Sequence, residues 1–142
     1  MTKLDIDTLV KALNNETNEQ VIETDYKSIT QKKKEVLQNI GISRENIGVL
    51  LRKLKVYRYI DGAHEIEYGR YIRWISLKDP TQLHLTSGGI VCEIKVETPG
   101  IQVVCKNNMN RMFQINLSEN LVFQRLTEQE RVLLSALQYI SE

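Results

Sequence analysis

The sequence predicts an α+β protein: an N-terminal helical segment with a helix-turn-helix-like pair, joined to a small antiparallel β-barrel capped by a helix. Three observations predict it. Apolar residues recur at helical spacing on both sides of Gly41, across VLQNIGISRENIGVLLRKL at residues 36–54. After Gly69 the period changes to two, in short runs separated by turn residues. From Thr127 the helical period returns. A period near 3.6 marks a helix with one buried face, and a period of two marks a half-buried strand. The expected division is 1–58 for the helical segment and 59–142 for the barrel and its helix.

A short helix is expected over residues 5–14, with Leu9, Val10 and Leu13 as its apolar side, followed by a polar loop, NETNEQVIETD. The helix pair covers about Ser28 to Lys55. Val36, Leu37 and Ile40 share the inner face of its first helix, since positions three and four apart stack along a helix. Gly41 follows where a helix end calls for positive φ, which glycine adopts without a Cβ clash. Ser43 suits the next N-cap, because its hydroxyl can accept from an orphan backbone N–H. Ile47, Leu50, Leu51 and Leu54 then supply the second helix with a core stripe.

The opposite face of that second helix carries Arg44, Gly48, Arg52 and Lys55 at spacings of four, four and three. A glycine inside a helix costs about 1 kcal/mol relative to alanine. Gly48 therefore points to close approach of another surface, with DNA among the candidates; the competing reading is close packing within the fold. Charge is distributed to match. Residues 1–25 carry two basic and six acidic side chains, residues 26–58 nine basic and two acidic, and residues 59–142 eight basic and ten acidic. The net charge of +1 thus conceals a block of +7 coincident with the helix pair, the footprint expected of a polyanion-binding face. Lys32 and Lys34 join that footprint, although Lys32, Lys33 and Lys34 also read as a solvated helix face.

A second feature is KVYRYIDG followed by YGRYIRWI. Tyr57, Tyr59, Tyr68, Tyr71 and Trp74 alternate with Arg58, Arg70 and Arg73. On a sheet surface, aromatics stack bases while arginines hold phosphates. The competing reading places Tyr71 and Trp74 in the core, and for Trp74, inside an apolar strand, core is the better reading.

Beyond Gly69, strands are expected at 71–77 and 83–85, then along Ile90–Glu97, along Ile101–Lys106 after Pro99–Gly100, and at 111–117 and 121–125. Alternation places Ile90, Ile94, Val103 and Phe113 inward, with Leu137 of the final helix closing over them. Thr127 and Glu130 form a capping box at the start of that helix, with Leu133, Ala136, Leu137 and Ile140 as its core face. Short strands with tight turns favour a barrel, whose closure would protect its edges.

No catalytic constellation is present: GxSxG, P-loop, HExxH and paired-histidine patterns are all missing. His64 beside Glu65 and Glu67 is the nearest approach to an acid–base cluster, and it lacks a nucleophile. Cys92 and Cys105 have neither CxxC spacing nor histidines at ligand spacing, so no metal or other cofactor is expected. The two cysteines could meet across a hairpin, but buried thiols are the better expectation in a reducing compartment. No run is long and apolar enough to span a membrane. The N-terminus is too acidic and too poor in apolar residues for a signal peptide, so an intracellular location is expected.

Residues 70–137, with RYIRWISL, LTSGGIVCEI, the asparagine-rich turn before RMFQI, and LVFQRLTEQERVLLSAL, resemble a small uncharacterised family of nucleocytoplasmic large DNA viruses. The resemblance covers about half the chain and consists of strand and turn signatures. It implies a protein made in an infected eukaryotic cell, in host cytoplasm or nucleus, and a candidate virion component. It implies no known activity and supplies no site residues.

The sequence thus leads to a non-enzymatic module associated with nucleic acid, DNA favoured, with an assembly module binding an acidic protein surface as the alternative.

Overall fold

A computed structural model of the protein describes residues 10–11, 25–97 and 100–141. Helix α1 spans Tyr26–Asn39 and α2 Arg44–Lys53. Strands follow at β1 (Tyr57–Ile60), β2 (Tyr71–Ser76), β3 (Gly89–Glu97), β4 (Gly100–Lys106), β5 (Met112–Asn116) and β6 (Asn120–Arg125), and α3 (Glu128–Ser141) ends the described chain. The helix expected over residues 5–14 and the loop after it lie almost wholly outside the described residues. Val10 and Lys11 are helical.

The six strands form one antiparallel sheet in the order β1-β6-β2-β3-β4-β5. It does not close. β1 and β5 are its two edges, so the α+β class holds and the barrel does not. The sheet curls instead. Trp74 on β2 and Phe113 on β5 lie three strands apart, roughly 14 Å in a flat sheet, yet their rings meet edge-on with centroids 6.4 Å apart. β2 and β3 pair only through Tyr71–Ile90 and Ile72–Gly89. Beyond that point the chain before β3 takes over the free edge of β2: Thr86 donates its N–H to the Trp74 carbonyl, and Ile75 bridges Leu85.

Alternation feeds two cores, one on each face of the sheet. One holds Tyr57, Ile75, Leu121 and Phe123 from the sheet together with Val36, Leu37, Ile47 and Leu54 from the helix pair. The other, inside the curl, holds Ile60, Ile72, Trp74, Val91, Val103, Cys105 and Val122, with Ile66 from the loop after β1. The boundary drawn between residues 58 and 59 falls inside β1, whose residues pair with β6 throughout. The short strand expected at 83–85 contributes only the Ile75–Leu85 bridge.

The alternation expected for β3 fails at one residue. A bulge between Val91 and Glu93 inserts Cys92 into the ladder with β4 and shifts the phase of all that follows. Val91 is buried before the bulge and Ile94 packs inward after it, while Ile90 is exposed. Phe113 sits on the inner face as expected but on the edge strand, 41 % exposed. Gly88 takes positive φ, and a Cβ there would strike the Ile72 carbonyl oxygen, so the turn into β3 requires glycine.

Helix α3 begins with the expected capping box: Glu130 N–H donates to Thr127 Oγ1 at 3.1 Å, and Thr127 N–H to Glu130 Oε1 at 2.9 Å. The helix does not cap a barrel end. Leu133 and Leu134 pack with Ile29 of α1 and Leu126, so α3 lies against the start of the helix pair. Leu137 is only partly buried and Ile140 is 79 % exposed, which removes both from the expected closing layer.

Phe123, fully buried, and Phe113 at the edge make a direct test of this register. Phe123→Ala should cost about 3–5 kcal/mol, and Phe113→Ala well under half of that. Urea denaturation midpoints for both variants measure the difference; equal losses would contradict the open sheet.

Candidate nucleic-acid interface

The helix pair is built as its local sequence dictates. Asp25 caps α1 by accepting from Ser28 N–H at 2.7 Å, and that bond holds the Asp25 carboxyl below its ordinary pKa. Gly41 adopts φ +87° in the turn. Ser43 Oγ then accepts from Asn46 N–H at the start of α2. Val36, Leu37, Ile47 and Leu54 are buried, with Ile40, Leu50 and Leu51 packed beside them.

The outer face of α2 and the turn after it carries Arg44, Arg52, Lys53 and Lys55, all exposed. None of these four makes a salt bridge among the described residues. A Cβ built on Gly48 would meet nothing within 4 Å. The packing explanation for that glycine therefore fails, because no neighbouring element needs its missing side chain.

Lys34 is also exposed. Lys32 and Arg58 belong elsewhere. They line a separate cavity of about 150 Å³ that also has Asp61 and Glu65 on its wall, Lys32 Nζ lies 5.9 Å from the centre of the Tyr59 ring, and Arg58 approaches Glu65 at 3.9 Å.

Arg70 and Arg73 are structural. Arg70 pairs with Glu67 at 2.6 Å and with the buried Glu130 at 2.7 Å, and it also donates to the Arg125 carbonyl. Arg73 Nε donates to the Thr86 carbonyl at 2.8 Å, holding the crossing before β3. The aromatic residues do not form a stacking platform. Tyr57 and Trp74 are core residues, Tyr59 packs edge-on against Phe123 at 5.8 Å, and Tyr71 Oη donates to the Ser87 carbonyl. Tyr68 alone of that set is largely exposed, at 63 %.

Lys33 breaks from the other lysines of its run. It is 3 % exposed, and its Nζ donates at 2.8 Å to the Leu54 carbonyl, which also accepts from Tyr57 N–H at 2.9 Å, at the end of α2. Burial lowers its pKa from the ordinary 10.5 to about 8. The periodicity already held this information: position 33 lies four residues after Ile29 and three and four before Val36 and Leu37, inside the apolar stripe. Lys33 also lines a cavity of about 530 Å³ between the three helices, with Tyr26, Leu51, Val56 and, around them, Arg52, Lys55 and Arg131. Lys53 and Arg131 were not legible as site residues, since charge alone does not place a side chain in space.

The carboxylates of the acidic loop are engaged within the fold. Glu65 accepts from Asp61 N–H and faces Arg58, while Glu67 is committed to Arg70. Cys92 and Cys105 are unbridged; Cys92 is exposed at the bulge, and burial pushes the Cys105 thiol up to about 11. Among the described residues no cluster of side chains could hold a metal ion, and no helix is long and apolar enough to cross a membrane. Comparison with protein-family models, curated proteins and solved structures gives no match to the chain.

Two outcomes test these placements. Between pH 8 and 10.5 the unfolded chain keeps a proton on Lys33 that the folded chain has released, so stability should rise with pH across that window. Relative to Lys33→Met, the wild type should gain up to about 3 kcal/mol over this range, read by urea denaturation at each pH; a flat difference would mean the ammonium is not desolvated. Gly48→Ala should stabilise the protein by up to about 1 kcal/mol, measured the same way, because the added methyl meets open space.

Proposed function

We propose that the chain is a non-enzymatic nucleic-acid-associated module that holds DNA phosphates on the exposed face of α2. The observation that carries this reading is that Arg44, Arg52, Lys53 and Lys55, on α2 and the turn after it, are all exposed and make no salt bridge among the described residues. Cations that folding leaves unmatched on one short helix are suited to a polyanion. The open face at Gly48, between Arg44 and Arg52, lets a phosphate backbone approach the helix closely. Contacts of this kind position a duplex without reading its sequence, so affinity would depend on salt more than on base order. Within the viral resemblance of residues 70–137, such a module would serve transcription or genome organisation.

An acidic protein surface is the second reading, and the sheet edge favours it as an assembly module. Among the described residues no strand pairs with the outer edge of β5, where Met112 is 56 % and Phe113 41 % exposed, and an apolar sheet edge of this kind is where another chain can add a strand.

Titration of duplex DNA at two salt concentrations separates the readings. The triple variant Arg44→Gln, Arg52→Gln, Lys55→Gln should weaken binding and flatten the salt slope by up to about three units, near one per phosphate contact. Gly48→Ala should weaken binding despite its gain in stability. Unchanged DNA binding in the triple variant would transfer the basic face to an acidic protein partner.

A further inference from the structure

The cavity between the three helices combines two properties that the fold itself does not use together. Its wall is mainly apolar, built from Leu51, Val56 and the Tyr26 side chain, and four cations, Lys33, Arg52, Lys55 and Arg131, line it with no acidic residue among them. At about 530 Å³ it falls within the size range of sites for small organic ligands. Lys33 is 3 % exposed, and its one hydrogen bond goes to the Leu54 carbonyl; no carboxylate lies within ion-pair distance among the described residues. An ammonium offers three donors, and a buried charge normally has a counter-ion. Here the protein supplies a neutral acceptor in its place.

We propose that this cavity binds a small anionic amphiphile, with its apolar chain against Leu51 and Val56 and its carboxylate or phosphate head among Lys33, Arg52, Lys55 and Arg131. The anionic head provides the counter-ion that Lys33 lacks, and the two arginines add donors that suit either head group. The cavity shares Arg52 and Lys55 with the proposed nucleic-acid face, but Lys33 and Arg131 line only the cavity and Arg44 lies only on the α2 face, so variants at those positions separate the two readings.

Calorimetric titration of the full chain tests it, with laurate and lauryl phosphate as the two head-group arms and lauryl alcohol and lauryltrimethylammonium as controls, all below their aggregation concentrations. At least one anionic probe should bind with one-to-one stoichiometry, and the arm that binds more tightly identifies the head group. The alcohol and the cation should not bind. Arg131→Glu should weaken the anion by at least about tenfold, the loss of one charge-assisted contact. This variant should fold normally, since the hydrogen bonds at Arg131 run through its backbone. Lys33→Met should weaken the anion similarly, whereas Arg44→Gln should leave it unchanged and weaken only DNA. Equal binding of laurate and lauryl alcohol, binding indifferent to Arg131→Glu, or no binding of either anion would each overturn the proposal.

Discussion

The fold depends on a single strand that is buried on both faces. Leu121, Val122, Phe123 and Gln124 of β6 are consecutive and all buried. Leu121 and Phe123 enter the core beneath the helix pair, and Val122 enters the core inside the curl. Gln124 is satisfied by the loop before β2: its Oε1 accepts from Glu67 N–H, and its Nε2 donates to the Glu65 carbonyl. A slip of one residue would exchange the two sets and place Gln124 among apolar side chains without those partners. β6 is the last strand in the chain, yet it lies between β1 and β2, pairing Tyr57 with Arg125 and Ile72 with Gln124. The helix pair therefore acquires its floor from the far end of the sequence. Contacts of such long separation carry a loop-closure entropy that the local helices do not.

The buried charges follow the same geometry. Arg70, just before β2, joins Glu67 in its own loop to Glu130 in the first turn of α3 and to the carbonyl at the end of β6. Glu130 completes the capping box at the same time, so one carboxylate both starts α3 and fixes it against the sheet. Removing either partner would strand a buried charge, a more costly event than the loss of a surface pair. Lys33 does comparable work between α1 and α2, with a backbone carbonyl in place of a carboxylate.

Short-range features were legible in the sequence. The Gly41 turn, the Ser43 cap, the leucine stripe of α2, the capping box of α3 and the inward set Val103 and Cys105 all depend on residues within a few positions of each other. What was not legible depends on distant partners. The Cys92 bulge is invisible because Ile90, Val91, Cys92 and Ile94 are all apolar enough to face inward, and only the pairing with β4 decides among them. Closure or curling is settled by how β2 and β3 part, which no local pattern encodes. Of the site, the α2 face was legible because helical spacing alone aligns Arg44, Gly48 and Arg52. Arg58, Arg70 and Arg73 were not, because their carboxylate and carbonyl partners come from other loops and strands.

That division bears on why the remaining charges stand where they do. The fold uses the cations it needs: Arg70 and Arg73 hold crossings, Arg58 faces Glu65, and Lys33 closes a helix end. Arg44, Arg52, Lys53 and Lys55 do none of this work among the described residues, and placing them on one short helix and the turn after it raises repulsion in the folded state. Arg52 and Lys53 gain a little from the negative end of the α2 dipole. Arg44 gains the opposite, since it lies in the first turn, where the dipole disfavours a cation. Folding therefore gives no reason for an arginine at position 44 or for a glycine at 48, where alanine would be more stable. Residues that a fold tolerates at a cost are where a partner is best sought, and the α2 face is proposed as a binding face on that ground.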